Sequence, residues 1–313
     1  MLLRRSLLAA LPVCAAAVPA RADTPRQLRI GTQKGEPVLM AARQDHGFEA
    51  LLQPLGIEVR WLEFEFGPPM LEAMRVGAID IGATGDAPPV FAQAAHADLA
   101  YIAARPDGGK SLGILLPPGS ELRTLADLRG KRIGFGRGSR AHALTLAALE
   151  KADIACADIK PVALGPADAA AAFAHGDLDA WAVWDPYVAV TEAKPGVRVL
   201  AGSGDIGPAN SFYLVSRDYA TRYGDILRLV VQQLGRAGAW CDAHRDAVSQ
   251  LLAGATGISL DAWQRAVGRG SFRSVPIDDT ALQQQQIVAD RFAALRLIPG
   301  PVNVRDYAWR DAK

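Results

Sequence analysis

Arg29-Ile-Gly-Thr-Gln-Lys-Gly35 returns later in the chain as Arg132-Ile-Gly-Phe-Gly-Arg-Gly138. A second pair follows in step: Gly77-Ala-Ile-Asp80 with Asp86 and Pro88, then Gly176-Asp-Leu-Asp179 with Asp185 and Pro186. In each copy a short apolar strand enters a Gly-rich, basic turn. A second strand then runs into an Asp and a Pro, the chemistry of a helix start. The chain therefore reads as two similar α/β lobes. Facing each other, they would aim four helix N-termini at the cleft between them, and helix N-termini attract anions. A small anion held between two lobes is the expectation that follows.

Outward from these turns, residues 28–32, 58–64, 79–83 and 99–103 are short β-rich runs, with helical patterns at 70–76 and 88–95. That alternation predicts a sheet of parallel type. After a loop at 105–109 a second series has strands at 112–116, 132–135, 159–164, 180–184 and 197–201 and helices at 141–152 and 167–174. Beyond a further strand at 211–215 the pattern turns helical, at 223–252, 260–267 and 280–295. A helical end cannot complete an α/β lobe by itself, so it is expected to cross back onto the first. Lobe 1 then comprises 23–112 and 213–313, and lobe 2 comprises 113–212. Crossings near Gly113 and Phe212 form a two-segment hinge of the kind that closes around ligands.

Residues 1–22 have the marks of a cleaved signal peptide: Arg4 and Arg5, an apolar run from Ser6 to Val18, and Ala20-Arg21-Ala22 before the cut. The run is too short for a membrane-spanning helix, so an exported, periplasmic protein is expected. Val13 is bulkier than a lipoprotein site before Cys14 accepts, and Arg4-Arg5 fits the twin-arginine route as well as the general one. With 34 basic against 33 acidic residues and no block of like charge, the composition argues against a nucleic-acid partner. Any anion preference must be local. Without Cys14, Cys156 and Cys241 remain, too few for a disulfide framework or a thiolate zinc site; they either pair or stay buried and free, with burial the expectation. The five histidines show no metal-ligand spacing, so no metal or other cofactor is expected.

The candidate site residues fall in the repeated turns. Gly35 and Gly138 let backbone approach a ligand, and the amides of the following helix starts, with Gln33, Lys34 and Ser139 beside them, can donate to oxygens. Any βα turn favours Gly and a basic residue, so the weight lies in the two turns being matched. Asp86 and Asp185 are expected to cap helices and shape the site, because a free carboxylate would repel an anion; Thr84 and Gly85 are the better donors. Trp184 is either core or a wall for an alkyl group. Ser139 and His142 have the spacing of a nucleophile and its base, but local sequence supplies no third acid. His142 is instead expected to donate to the ligand or brace the turn.

At these motifs the chain resembles the substrate-binding proteins of ABC importers for aliphatic sulfonates, in the group that also holds taurine and nitrate binders. The resemblance runs through Ile30-Gly-Thr-Gln-Lys-Gly35, Gly67-Pro-Pro-Met-Leu-Glu-Ala73, Thr84-Gly-Asp-Ala-Pro-Pro89, Gly138-Ser-Arg-Ala-His142, Trp181-Ala-Val-Trp-Asp-Pro-Tyr187 and Ser211-Phe-Tyr-Leu214. It implies a periplasmic binding protein type II fold, sulfonate oxygens held by turns of both lobes, and an organic tail against Phe66, Trp184 and Phe212, with Gly67 alongside. It also implies a monomeric binding component that is not an enzyme, with a small anionic ligand and the ABC permease subunits as partners.

Two departures stand out. The family usually reads Gly-Ser-Ser-Ala-His-Asn where this chain has Gly138-Ser-Arg-Ala-His-Ala143, and Pro-Ala where it has Glu65-Phe66. Arg140 either grips an oxyanion through two nitrogens or points to solvent. Phe66 narrows the pocket or favours an aromatic tail, and Glu65 repels a second negative charge or attracts an amine. The alternatives are a binder of taurine, nitrate or a pyrimidine precursor, and a desulfinase-like enzyme on the same fold. For the last, neither Cys156 nor Cys241 falls in a cleft motif.

Overall fold

The computed structural model describes residues 24–33 and 35–310. Strands β1 (Gln27–Gln33), β2 (Glu58–Phe64), β3 (Ile81–Gly85) and β4 (Leu99–Pro106) open one sheet. Strands β5 (Leu112–Leu116), β6 (Arg132–Phe135), β7 (Lys160–Ala163), β8 (Ala180–Trp184) and β9 (Arg198–Gly202) make the second. Then β10 (Asn210–Ser216) and β11 (Val275–Pro276) return to the first. The orders are β11-β4-β10-β3-β1-β2 and β7-β6-β8-β5-β9. In both sheets the three strands at one end are parallel, and a reversed strand, β10 or β5, lies next to them. Each reversed strand is the first one laid down after the chain crosses between lobes.

The repeated letters turn out to encode one clasp, used twice. Arg29 on β1 holds Asp80 through its amide (2.8 Å), Nε (3.0 Å) and Nη2 (2.6 Å), and reaches the Gly77 carbonyl. Arg132 on β6 holds Asp179 through its amide (2.7 Å) and Nη2 (2.8 Å), and the Gly176 carbonyl at 2.8 Å. Beside each clasp a glycine makes room for an apolar neighbour. A Cβ on Gly31 would stand 2.5 Å from Ile79 Cδ1, and one on Gly134 2.4 Å from Leu178 Cδ1.

Helices α1 (Pro37–Gln44), α2 (Gly47–Leu52), α3 (Gly67–Arg75) and α4 (Ala87–Ala94) accompany the first strands. The second lobe carries α5 (Arg140–Lys151), α6 (Pro166–Ala174), α7 (Tyr187–Glu192) and α8 (Ser203–Ile206). The last stretch forms α9 (Arg217–Arg222), α10 (Gly224–Ala243), α11 (Arg245–Thr256), α12 (Leu260–Arg269) and α13 (Asp279–Ala294). The helix expected over 223–252 is two, broken at His244. Alternation along β10 divides the first core: Tyr213 and Val215 join residues of α1, α10, α11 and α12, while Phe212 and Leu214 join those of α3, α4 and α13. The C-terminal helices therefore cover both faces of the first sheet.

The crossings lie at 107–111 and 207–209, a few residues before the expected boundaries. Leu112 pairs with Trp184 in the second sheet, and Phe212 pairs with Thr84 and Ala104 in the first. A strand joins a sheet whole, so the breaks fall in the Gly-rich and Pro-containing turns just before β5 and β10. There the two crossings meet backbone to backbone, the Asp107 amide donating to the Ala209 carbonyl at 3.0 Å; beside them the Gly204 amide of α8 donates to the Gly109 carbonyl at 2.6 Å, and a Cβ on Gly204 would stand 2.8 Å from that oxygen.

Candidate functional site

A cleft of about 540 Å³ lies between the lobes. The helix starts after β1, β3, β6 and β8 border it, and they are not alike. At α1 the carboxylate of Glu36 accepts the Leu39 amide at 2.6 Å. At α4 Asp86 accepts the Ala87 amide at 2.8 Å, and Pro88 and Pro89 remove the next two donors. Before α7, Asp185 accepts the Ala189 amide at 3.0 Å. Three of the four starts are thus filled by the chain's own acids, which lie where an anion would otherwise sit. The start of α5 has no side-chain cap: Ser139 Oγ donates to the Gly136 carbonyl at 2.7 Å, and Ser139 and Arg140 line the cleft.

Burial shifts the acids upward. Asp86 is pushed to about 6 against the pull of Arg140, and Asp185 to about 7 against the pull of Arg269. Burial also raises Glu36, with Arg105 opposing. Three arginines answer them. Arg105, near the end of β4, donates to the Ser271 carbonyl at 3.0 Å and stands 3.6 Å from Glu36. Arg140 Nη2 lies 3.1 Å from Asp107 Oδ1. Arg269, closing α12, bridges the lobes, with Nε 3.1 Å from Asp185 and its other nitrogens on Glu192. The Nε atoms of Arg105 and Arg140 are buried without an acceptor among the described residues. Apolar side chains also line the cleft: Phe66, Trp184, Tyr187, Ile258, Trp263 and Phe272.

Of the residues expected at the site, Gln33, Gly35, Phe66, Gly67, Thr84, Gly85, Ser139, Arg140, Trp184 and Asp185 line the cleft. Lys34 lies outside the described residues. Gln33 spends one donor on the Ala83 carbonyl at 2.9 Å. Gly85 admits the Arg140 stem, since a Cβ there would stand 2.8 Å from Arg140 Cβ. Trp184 lines the cleft and also packs on both clusters of the second core.

Four expected residues do not line it. Asp86 is buried as a helix cap. Gly138 sits in the left-handed region at φ 70°, its amide donating to His142 Nδ1 at 3.2 Å. His142 is stacked on Phe135 (4.7 Å between centroids) and meets the edge of Phe292 (5.2 Å). Burial, helped by Arg137, lowers its pKa to about 4, so it is neutral and braces the turn by accepting. Phe212, expected as a tail contact, is fully buried edge-on to Tyr101, because strand parity sends it to the α13 side and leaves Ser211 at the cleft.

Sequence reasoning missed Glu36, Arg105, Trp263 and Phe272. The signal for Arg105 was present: a charged residue closing an apolar strand needs a buried partner. Among the described residues Cys156 and Cys241 are free, and neither lines the cleft; Cys241 is fully buried, its thiol pushed up to about 12.

The pattern of the NMT1-like family matches residues 21–255. An aliphatic sulfonates-binding protein of Escherichia coli (strain K12) is 38% identical over 100% of this chain and 97% of its own length. The crystal structure of the periplasmic aliphatic sulphonate binding protein SsuA from Escherichia coli superimposes with a TM-score of 0.86, covering 93% of this chain and 94% of that one. The alkanesulfonate-binding protein SsuA from Xanthomonas axonopodis pv. citri, solved bound to MOPS, is 40% identical with a TM-score of 0.84, over 92% of this chain and 100% of that one. Alike from end to end in sequence and in fold, the chain belongs to the NMT1-like family, in its group of aliphatic sulfonate-binding proteins.

Proposed function

We propose that this chain is the periplasmic solute-binding component of an ABC importer, capturing a small organosulfonate between its lobes for delivery to the permease. The observation that carries the reading is the uncapped start of α5, where Ser139 and Arg140 enter a cleft in which the matching starts after β1, β3 and β8 hold their own acids. A sulfonate is the anion of a strong acid, so amide dipoles and a guanidinium hold it without proton exchange across the ordinary pH range. Thr84, Gly85 and Gln33 complete the seat from the first lobe. Phe66, Trp184 and Trp263 receive the organic tail.

The names of the similar proteins, and MOPS in one of them, support the same ligand class here. The same names and the character of residues 1–22 support export to the periplasm. Nitrate would leave most of a cleft of about 540 Å³ unfilled. Capture without turnover fits the position of Cys156 and Cys241 away from the cleft; sulfite released from an aryl sulfinate would overturn it. Calorimetric titration with ethanesulfonate, butanesulfonate, MOPS, taurine and nitrate tests the ligand class. Saturable heat is expected with the sulfonates and none with nitrate. Silence with every sulfonate would remove the proposal and leave the fold standing.

A further inference from the structure

We infer that Asp107 is a positioning residue for the anion seat: it aims the Arg140 guanidinium and ties that grip to both hinge crossings. The inference rests on the sulfonate-binding reading above. Asp107 lies on the first crossing, 5% exposed, and both of its carboxylate oxygens are engaged. Oδ1 accepts from Arg140 Nη2 at 3.1 Å and from Ser111 Oγ, which lies on the same crossing. Oδ2 accepts at 2.6 Å from Ser203 Oγ, at the start of α8 just before the second crossing. The Asp107 amide donates to the Ala209 carbonyl, on that second crossing, at 3.0 Å. One residue therefore touches both crossings and the start of α5.

The direction of Arg140 follows. Its stem lies on Gly85 of the first lobe, one Nη is fixed by Asp107, and the buried Nε has no acceptor among the described residues. A guanidinium is a rigid plane, so anchoring one nitrogen sets where the remaining edge points. That edge is the one left for a sulfonate oxygen. A side chain ordered in advance loses less freedom when the ligand arrives, an effect worth about tenfold in affinity.

Charge alone gives the opposite expectation. Asp107 is a carboxylate close enough to the site to push Asp86 and Asp185 upward. Were it only a negative charge, removing it would tighten anion binding. As a positioning residue, its removal weakens binding.

The two signs are separated by calorimetry on the full mature chain with propane-1-sulfonate. Asp107→Ala is expected to weaken binding about tenfold. In an Arg140→Ser background the same change is expected to cost less than about twofold, because the group it positions is gone. Asp107→Asn keeps one acceptor oxygen for Arg140 and Ser111 and offers Ser203 Oγ an N–H in place of the lost acceptor; it guards against loss of the fold and is expected to cost about threefold with the same dependence on Arg140. If Asp107→Ala does not fold, the Asn cycle decides. Unchanged or tighter binding, or an undiminished loss without Arg140, overturns the inference. A wild-type chain that binds no sulfonate would instead overturn the functional proposal beneath it.

Discussion

The turns after β1 and β6 share a sequence plan and part company in charge. The first leads into α1 with Glu36 as cap, a buried carboxylate that takes the Leu39 amide and faces Arg105. The second leads into α5 with no side-chain cap, its Ser139 hydroxyl turned to Gly136 and Arg140 following at once. What the two lobes keep in common is the clasp, Arg29 on Asp80 and Arg132 on Asp179. Sheet geometry is repeated while the helix starts diverge, so a pseudo-symmetric frame carries a lopsided site. In the proposed function the second lobe grips the anion, and the first supplies polar neighbours and most of the apolar wall.

The largest test of that asymmetry is a pair of substitutions. Arg140→Ser, which restores the residue usual in the family, should weaken sulfonate binding by about ten- to a hundredfold in calorimetry, the scale of a charge-assisted hydrogen bond. Glu36→Gln in the first lobe should act on stability, lowering the unfolding free energy in urea by about 1–3 kcal/mol as Arg105 loses its buried partner. If Glu36→Gln weakened the ligand as much as Arg140→Ser, the lobes would share the grip after all.

A middle-sized effect concerns pH. The ligand stays anionic, while Asp86 (about 6) and Asp185 (about 7) take up protons as pH falls. An anion beside them favours their neutral forms, so affinity should rise by severalfold as pH is lowered from about 8 to about 5. Affinity unchanged across that range would place both carboxyls beyond the ligand's field. The smallest effect is expected from Ser139→Ala, below about threefold in dissociation constant. Its hydroxyl hydrogen is already committed to Gly136, so the change removes a brace and not a donor.

The fold was legible because its signals are local: apolar runs, Gly-rich turns, and a repeated Arg-Ile-Gly that fixes two equivalent strands. The site was half legible. Turn residues at known offsets from those strands, such as Thr84 and Arg140, reach the cleft. Phe212 did not, since inward and outward positions alternate along a strand and a one-residue choice decides which core receives the ring. Glu36, Arg105 and Asp107 depend on partners far along the chain, and Trp263 reaches the cleft only because the last helices fold back over the first sheet. Such pairings have no short-range signature. The prolines after Asp86 were read as marks of a helix start; that they also strip it of donors becomes decisive only once the four starts are seen together.

The position of the reversed strands sets an order in time. Every strand of the second sheet lies within residues 112–202, so that lobe has all its strands soon after residue 202 has emerged. The first sheet begins at residue 27 yet lacks a strand between β3 and β4 until residues 210–216 arrive, and its outer layer waits for α13. The usual N-to-C sequence of domain completion is inverted. The lobe that starts the chain is the last to have all its strands.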